Sequence, residues 1–114
     1  MSAITTHILD TSKGRPAAGV AVLLESRGDD GDWQAISRGT TDLDGRLKTL
    51  YPDGKKLEEG VYRLTFDTGR YFGTHGIPAF YPEVVVVFET AANERHYHVP
   101  LLIAPYGYST YRGT

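Results

Sequence analysis

Thirteen glycines and six prolines punctuate this 114-residue chain, and no segment between them shows sustained helical periodicity. The segments are rich in valine, threonine and tyrosine, which favour extended strands. Glycine and proline are typical of the turns that separate such strands. The pattern therefore predicts one all-β domain over residues 1–114, folded as a two-sheet β-sandwich or a barrel.

Seven or eight strands are predicted, at the spacing typical of a two-sheet sandwich. In the first strand, residues 4–9, side chains alternate between two faces, and His7 shares one face with Thr5 and Leu9. The other strands are predicted at 20–26, 33–38, 61–66, 83–89, 95–103 and 105–112.

Three segments carry more specific expectations. Four consecutive valines, Val84 to Val87, predict a strand that is buried on both faces or closely covered. Pro100 lacks a backbone N–H, which predicts an edge strand or a bulge there. One short helical turn is expected near residues 73–80, because the prolines that follow stop a longer helix.

The composition excludes several classes of protein. Without cysteine the chain forms neither disulfides nor cysteine-based zinc sites. A net charge of −2 with mixed signs offers nothing for nucleic acid to bind, and no apolar run approaches the length of a membrane helix. The first residues show neither the basic start nor the apolar core of a secretory signal. We therefore expect a cytoplasmic protein with no nucleic-acid or membrane partner and no cofactor.

His96 and His98 are the first candidates for chemistry. Two residues apart on a strand, they share one face. The pair is consistent with a metal site, which would need a third ligand such as His7 or a carboxylate. It is also consistent with acid–base catalysis, because histidine titrates near neutral pH. Spacing alone favours a third interpretation, two surface histidines on a solvated strand.

Two further features are open to more than one interpretation. Arg46 follows an acidic turn, so it either binds a carbonyl or anionic ligand or pairs with Asp42 or Asp44. The last predicted strand carries three tyrosines, too many for a fraying terminus. That strand is expected to be buried against another subunit, against its own sandwich, or against both.

Taken together, these segments resemble the hydrolase branch of the transthyretin-like family over essentially the whole chain. The most specific part is the run His96 to Leu102 followed by the terminal Tyr111 to Thr114. The other matching segments are 4–10, 14–17, 41–46 and 81–84. Thr114 departs from the usual terminal serine of the family, but it keeps a hydroxyl and a terminal carboxylate, so function is expected to survive.

The resemblance implies a functional set drawn from both ends of the chain, without His96. The implied catalytic residues are His7, Arg46, His98 and Thr114, and the implied substrate-binding residues are Tyr111, Arg112 and Gly113. It further implies a homotetramer, a dimer of dimers, with sites where the dimers meet.

The implied reaction is hydrolysis of 5-hydroxyisourate at an acyl C–N bond, giving 2-oxo-4-hydroxy-4-carboxy-5-ureidoimidazoline in urate degradation. His98 or His7 would activate water, and Arg46 would stabilise the oxyanion. Two alternatives stay open at this point: a carrier of a small aromatic ligand, and a structural sandwich module of a larger extracellular protein.

Overall fold

The computed structural model describes residues 2–114. Over these residues the chain forms nine strands, arranged in two sheets, and one short helix. The elements are β1 (Ile4–Asp10), β2 (Arg15–Pro16), β3 (Ala21–Arg27), β4 (Trp33–Thr40), β5 (Arg46–Leu47), β6 (Gly60–Phe66), α1 (Thr68–Thr74), β7 (Val84–Thr90), β8 (Tyr97–Ala104) and β9 (Gly107–Thr110). Within these residues no helix has the length and hydropathy needed to cross a membrane. The predicted two-sheet sandwich is confirmed.

The first sheet joins the two ends of the chain. Its order is β2-β1-β8-β9, and β5 pairs with β1 on the edge that β2 also uses. The β1–β8 pair is parallel, whereas the second sheet, β4-β3-β6-β7, is entirely antiparallel. A parallel pair needs a long crossover connection, and here the second sheet lies within that connection.

Alternation along the strands separates the core from an outer polar face. In β1, Ile4 and Ile8 are fully buried between the sheets, and in β8 Leu101 and Ile103 are buried with them. Strand side chains alternate in direction, so Thr5 and His7 project from the opposite, outer face of the first sheet. The predicted faces of the first strand are confirmed.

The single helix lies earlier than predicted. It occupies Thr68–Thr74 directly after β6, and overlaps the expected span 73–80 by only two residues. Tyr71 and Phe72 are buried against the core, which fixes the position of the helix. The first turn of the helix also contacts the proline-containing segment that follows it, because Gly69 N–H donates to the Pro82 carbonyl at 3.0 Å. Burial of two aromatic rings thus outweighs the local sequence signal.

The valine run does not form a strand buried on both faces, so that prediction was wrong. Strand β7 is an edge strand whose one partner is β6. Val84 is buried, but Val85 and Val87 are 41% and 54% exposed. A uniformly apolar strand carries no alternation, so its sequence does not show that one face is left uncovered.

Pro100 lies in an interior strand, so the prediction of an edge or a bulge was also wrong. Tyr97 N–H donates to the carbonyl of Ala3, directly before β1, so by alternation the nitrogen of Pro100 faces β9. The regular β8–β9 pairing ends at Leu101, and the bridge between His98 and Gly113 resumes it in the same register. Pro100 therefore removes one backbone hydrogen bond from this pairing. The Thr110 hydroxyl donates to the Pro100 carbonyl at 2.7 Å instead.

The turn before β5 depends on Gly45, and we expect Gly45→Ala to destabilise the fold. Gly45 has φ +74°, and a Cβ there would lie 2.4 Å from the Ile8 carbonyl oxygen. The cost should exceed about 1 kcal/mol, the scale of backbone strain alone. Urea denaturation measures the change in the free energy of unfolding.

Gly14→Ala is the matched control, because Gly14 has φ +66° with no atom within 4 Å of its Cβ position. Gly14→Ala should lower the free energy of unfolding only by the cost of backbone strain, about 1 kcal/mol. Equal losses in the two variants would contradict the steric argument at Gly45.

Candidate active site

Four elements bring candidate side chains together on the outer face of the first sheet. Strand register sets Thr5 opposite His98, and sets His7 opposite both Pro100 on β8 and Arg46 on β5. A cleft of about 190 Å³ lies over this face. Its lining residues are Thr5, Thr6, Arg46, Lys48, His96, His98 and Thr114. Three of the four predicted catalytic residues therefore line one cleft.

His7, the fourth, lies beside the cleft. It is half-buried, and its Nε2 is 2.9 Å from the carbonyl oxygen of Asp44. A carbonyl only accepts, so Nε2 carries the hydrogen and donates it. His7 thereby ties β1 to the turn that presents Arg46.

The acidic turn fixes the backbone of Arg46 and leaves its side chain free. One oxygen of Asp42 accepts the N–H groups of Asp44 and Arg46, at 2.9 and 3.0 Å. The bond from Arg46 is the main cause that lowers the pKa of Asp42. Within residues 2–114 the guanidinium forms no salt bridge with a carboxylate. Pairing with Asp42 or Asp44, the alternative left open by sequence, is therefore absent there.

His98 is held neutral at the floor of the cleft. Its Nδ1 is 2.8 Å from the Thr5 hydroxyl, and the ring is half-buried. Burial lowers its pKa below the ordinary value of 6.5, and the neighbouring Arg46, His7 and His96 lower it further. A neutral imidazole at pH 7 is able to accept a proton.

The C-terminal segment closes against His98 because residue 113 is glycine. Gly113 N–H donates to the His98 carbonyl at 2.8 Å. A Cβ at this position would lie 2.8 Å from His98 Cδ2 and 3.2 Å from Pro100 Cγ. Any larger residue would push the tail away from the imidazole, and with it Thr114, which lines the cleft.

Tyr111 and Arg112 point elsewhere. They line a second, apolar cavity of about 430 Å³ beside the exposed edge of β7. The Arg112 guanidinium stacks over the Tyr97 ring at 4.7 Å and lies 3.5 Å from a Glu94 oxygen. One chain therefore does not bring these two side chains to the cleft, and their role in binding stays a prediction.

Sequence reasoning missed Thr5, Thr6 and Lys48, which line the cleft, and it set His96 aside after considering it. Lys48 lies two residues beyond Arg46 and shares its face, which an alternation argument would have found. Thr5 is buried between two histidines, and His96 lies within hydrogen-bond distance of it. No sequence signal indicated that a threonine joins the two histidines, since that contact depends on the β1–β8 register.

The metal interpretation of His96 and His98 needs a third ligand. Residues 2–114 contain no group of three histidine or carboxylate side chains placed to hold a metal ion. The two histidines instead share the hydroxyl of Thr5, at 3.2 and 2.8 Å.

The sandwich and its histidine–arginine cleft define a transthyretin-like protein. The chain belongs to the HIUase/Transthyretin family, whose family model matches residues 4–113.

The known proteins that this chain resembles include hydrolases and a transthyretin. The chain is 48% identical over 111 residues to the 5-hydroxyisourate hydrolase of Salmonella typhimurium, which covers 97% of this chain and 80% of that relative. It is 46% identical over 119 residues to that of Caulobacter vibrioides, covering all of both chains.

Two solved structures share the fold. The Klebsiella pneumoniae 5-hydroxyisourate hydrolase is 38% identical with a TM-score of 0.85, over 100% of this chain and 94% of that one. Sea bream transthyretin in complex with thyroxine is 34% identical with a TM-score of 0.91, over 98% and 95%. The fold is thus similar to both, while sequence identity is higher to the hydrolases.

We expect His98 to titrate below pH 6.5 in the folded protein. An unfolded histidine binds its proton near the ordinary value, so between the two pKa values the unfolded state binds more protons. The free energy of unfolding should therefore decrease as pH falls from about 6.5 to the lower, folded value. Histidine NMR titration and urea denaturation against pH measure the two effects.

His98→Gln is the control for this prediction, because it should remove that part of the pH dependence. Arg46→Ala should raise the pKa of His98 by removing a positive neighbour. A His98 that titrates at or above 6.5 would contradict the argument.

Proposed function

We propose that the protein hydrolyses 5-hydroxyisourate, opening its six-membered ring at an acyl C–N bond. The product is 2-oxo-4-hydroxy-4-carboxy-5-ureidoimidazoline, in the degradation of urate. The observation that carries the proposal is that His98 and Arg46 line one cleft, with Arg46 in no salt bridge to a carboxylate of residues 2–114. Relatives at 48% and 46% identity named 5-hydroxyisourate hydrolase support the choice of substrate.

His98 is the better general base of the two histidines. It lines the cleft and is held neutral, whereas His7 lies beside the cleft with Nε2 bonded to the turn at Asp44. Water gives one proton to His98 while its oxygen bonds to the ring carbonyl carbon. The C–N bond then breaks and the proton passes from His98 to the leaving nitrogen. The new carboxyl group releases its own proton to solvent and becomes a carboxylate.

Arg46 supplies the charge that the tetrahedral intermediate needs. Its guanidinium is not neutralised by a carboxylate of residues 2–114, so it is available to the developing oxyanion. The fixed backbone of the turn keeps Arg46 on the side of the cleft where this charge develops. Thr114 contributes its hydroxyl or terminal carboxylate at the cleft wall.

Activity assays on two variants test these roles. We expect His98→Asn to lower kcat/KM by about 10²- to 10⁴-fold, the range for loss of a general base. Arg46→Ala should lower it by about 10²- to 10³-fold, the range for loss of an oxyanion donor. The measurement is the decay of enzymatically generated 5-hydroxyisourate, followed by absorbance.

Arg38→Ala is the control, since Arg38 is an exposed arginine on the other sheet, away from the cleft. It should keep wild-type activity. If the wild type and both site variants all match the uncatalysed decay, the hydrolase proposal fails.

We infer a homotetramer, a dimer of dimers, in which a neighbouring subunit completes the site. Large aromatic side chains are exposed on one chain: Phe80 is 70% exposed, Tyr106 73% and Tyr111 57%. Strands β7 and β9 are both free edges that would accept another strand. A second copy would also give Tyr111 and Arg112 a role at a site that their own chain does not bring them to.

Sedimentation measures this assembly. At micromolar concentration we expect about four times the chain mass of 12.6 kDa. Tyr106→Glu should shift the protein to smaller species, because it places a charge in an apolar contact. Gln34→Glu, at an exposed position on β4, is the control and should leave the mass unchanged. A monomeric wild type would contradict the inference.

The carrier alternative is favoured by one observation, the TM-score of 0.91 to a transthyretin with bound thyroxine. A carrier has no need of His7, Arg46, His98 and the terminal tetrapeptide together. Calorimetry with thyroxine separates the two functions. Tight binding without hydrolysis would favour the carrier.

The domain and location predictions are supported less directly. The family match to residues 4–113 supports a single hydrolase domain over residues 1–114. The cytoplasmic location stays a prediction, which cell fractionation would test.

A further inference from the structure

Thr5 joins two histidines of which only one belongs to the proposed catalytic set. Its hydroxyl oxygen lies 2.8 Å from Nδ1 of His98 and 3.2 Å from Nε2 of His96. The Thr5 residue is only 6% exposed, so water contributes little to these contacts. A hydroxyl has one hydrogen to donate, so the two contacts are not independent of each other.

The position of that one hydrogen decides which nitrogen of His98 is basic. If Thr5 donates to His98 Nδ1, then the proton of the neutral ring sits on Nε2 and the ring is not a base there. If Thr5 accepts from Nδ1–H, then Nε2 keeps its lone pair. Two catalytic states of His98 therefore differ only in the direction of one hydrogen bond.

Two observations favour the second arrangement. A backbone hydrogen bond with Thr5 raises the pKa of His98, against the other causes that lower it. It favours a hydrogen on the side of the ring that faces Thr5, where Oγ1 lies 2.8 Å from Nδ1. Once Oγ1 accepts there, its own hydrogen is free for His96 Nε2, which lies 3.2 Å away.

We propose that Thr5 and His96 are positioning residues for His98, through a chain in which His98 Nδ1–H donates to Thr5 Oγ1, whose hydrogen donates to His96 Nε2. The chain leaves His98 Nε2 unprotonated for the attacking water. The inference rests on the proposed hydrolase function and adds to it a role for His96. His96 is then not the bystander that the family resemblance implies.

The chemistry of this chain suits a base that has to stay neutral. A carboxylate behind Nδ1 would favour the imidazolium and raise the pKa, whereas a hydroxyl backed by a neutral imidazole orients the ring without adding charge. In and beside the cleft, the charged or titratable groups around His98 are Arg46, Lys48, His7, His96 and the Thr114 carboxylate. The second cavity, which His98 also lines, adds Glu89, Glu94, Tyr97, Tyr111 and Arg112. During catalysis Thr5 keeps its proton, and the water proton is held at His98 Nε2 until the leaving nitrogen takes it.

The first test compares Thr5→Val with Thr5→Ser by histidine ¹⁵N NMR and by steady-state kinetics. Nitrogen chemical shifts distinguish a protonated from an unprotonated ring nitrogen. We expect wild type and Thr5→Ser to carry the His98 proton on Nδ1. Thr5→Val should shift it to Nε2 and lower kcat about five- to tenfold with KM nearly unchanged, the effect of losing one hydrogen bond.

The second test uses His96 and does not disturb a buried residue. His96→Phe removes the acceptor, so the Thr5 hydrogen is free to turn towards His98 and the same two changes should follow. His96→Gln keeps an acceptor and should restore both tautomer and kcat. This pair also tests the proposal if Thr5→Val does not fold.

Two results would overturn the inference: a wild-type His98 protonated at Nε2, or a His96→Phe variant with wild-type tautomer and kcat. The tautomer is measured without substrate. A wild type that shows the Nδ1 proton but does not hydrolyse 5-hydroxyisourate would instead overturn the proposed function.

Discussion

The parallel pairing of β1 with β8 is the constraint on which the site depends. It aligns the first strand of the chain with one of the last, with Thr5 opposite His98 and His7 opposite Pro100. All of the second sheet lies between these strands in sequence, so their pairing closes a long loop. Such a contact between distant segments carries a large loop-closure cost, which the buried core offsets.

The turn before β5 brings the positive charge of Arg46 next to the paired strands β1 and β8. Gly45 approaches the Ile8 carbonyl so closely that only glycine fits, and its own carbonyl accepts Ile8 N–H at 2.8 Å. This contact fixes Arg46 opposite His7. Backbone pairing thus forms the floor of the cleft and determines where its side chains lie.

Much of this arrangement could be predicted from the sequence. Alternation in the first strand placed His7 and Thr5 on one face, and the terminal motif pointed to Gly113 and Thr114. Pattern alone did not bring these residues to one place. The family resemblance placed them in one site, because the pairing of distant strands produces no local pattern in the sequence.

The predictions that were wrong concern features set by packing between elements. The valine run does not reveal that β7 is an edge, and Pro100 gives no hint that its missing N–H faces a gap in the ladder. The helix begins at Thr68 because Tyr71 and Phe72 reach the core from there. In each case a tertiary contact overrides a local preference.

The backbone hydrogen bond that is missing at Pro100 divides the cleft into a stiffer floor and a less stiff wall. Its floor, on β1 and β8, belongs to a continuous ladder of seven residue pairs. Its wall, Gly113 and Thr114, is attached beyond the interruption by a single bridge to His98. Opening the wall therefore costs a local free energy set by a few contacts, whereas moving the floor would require the cooperative unfolding of the sheet.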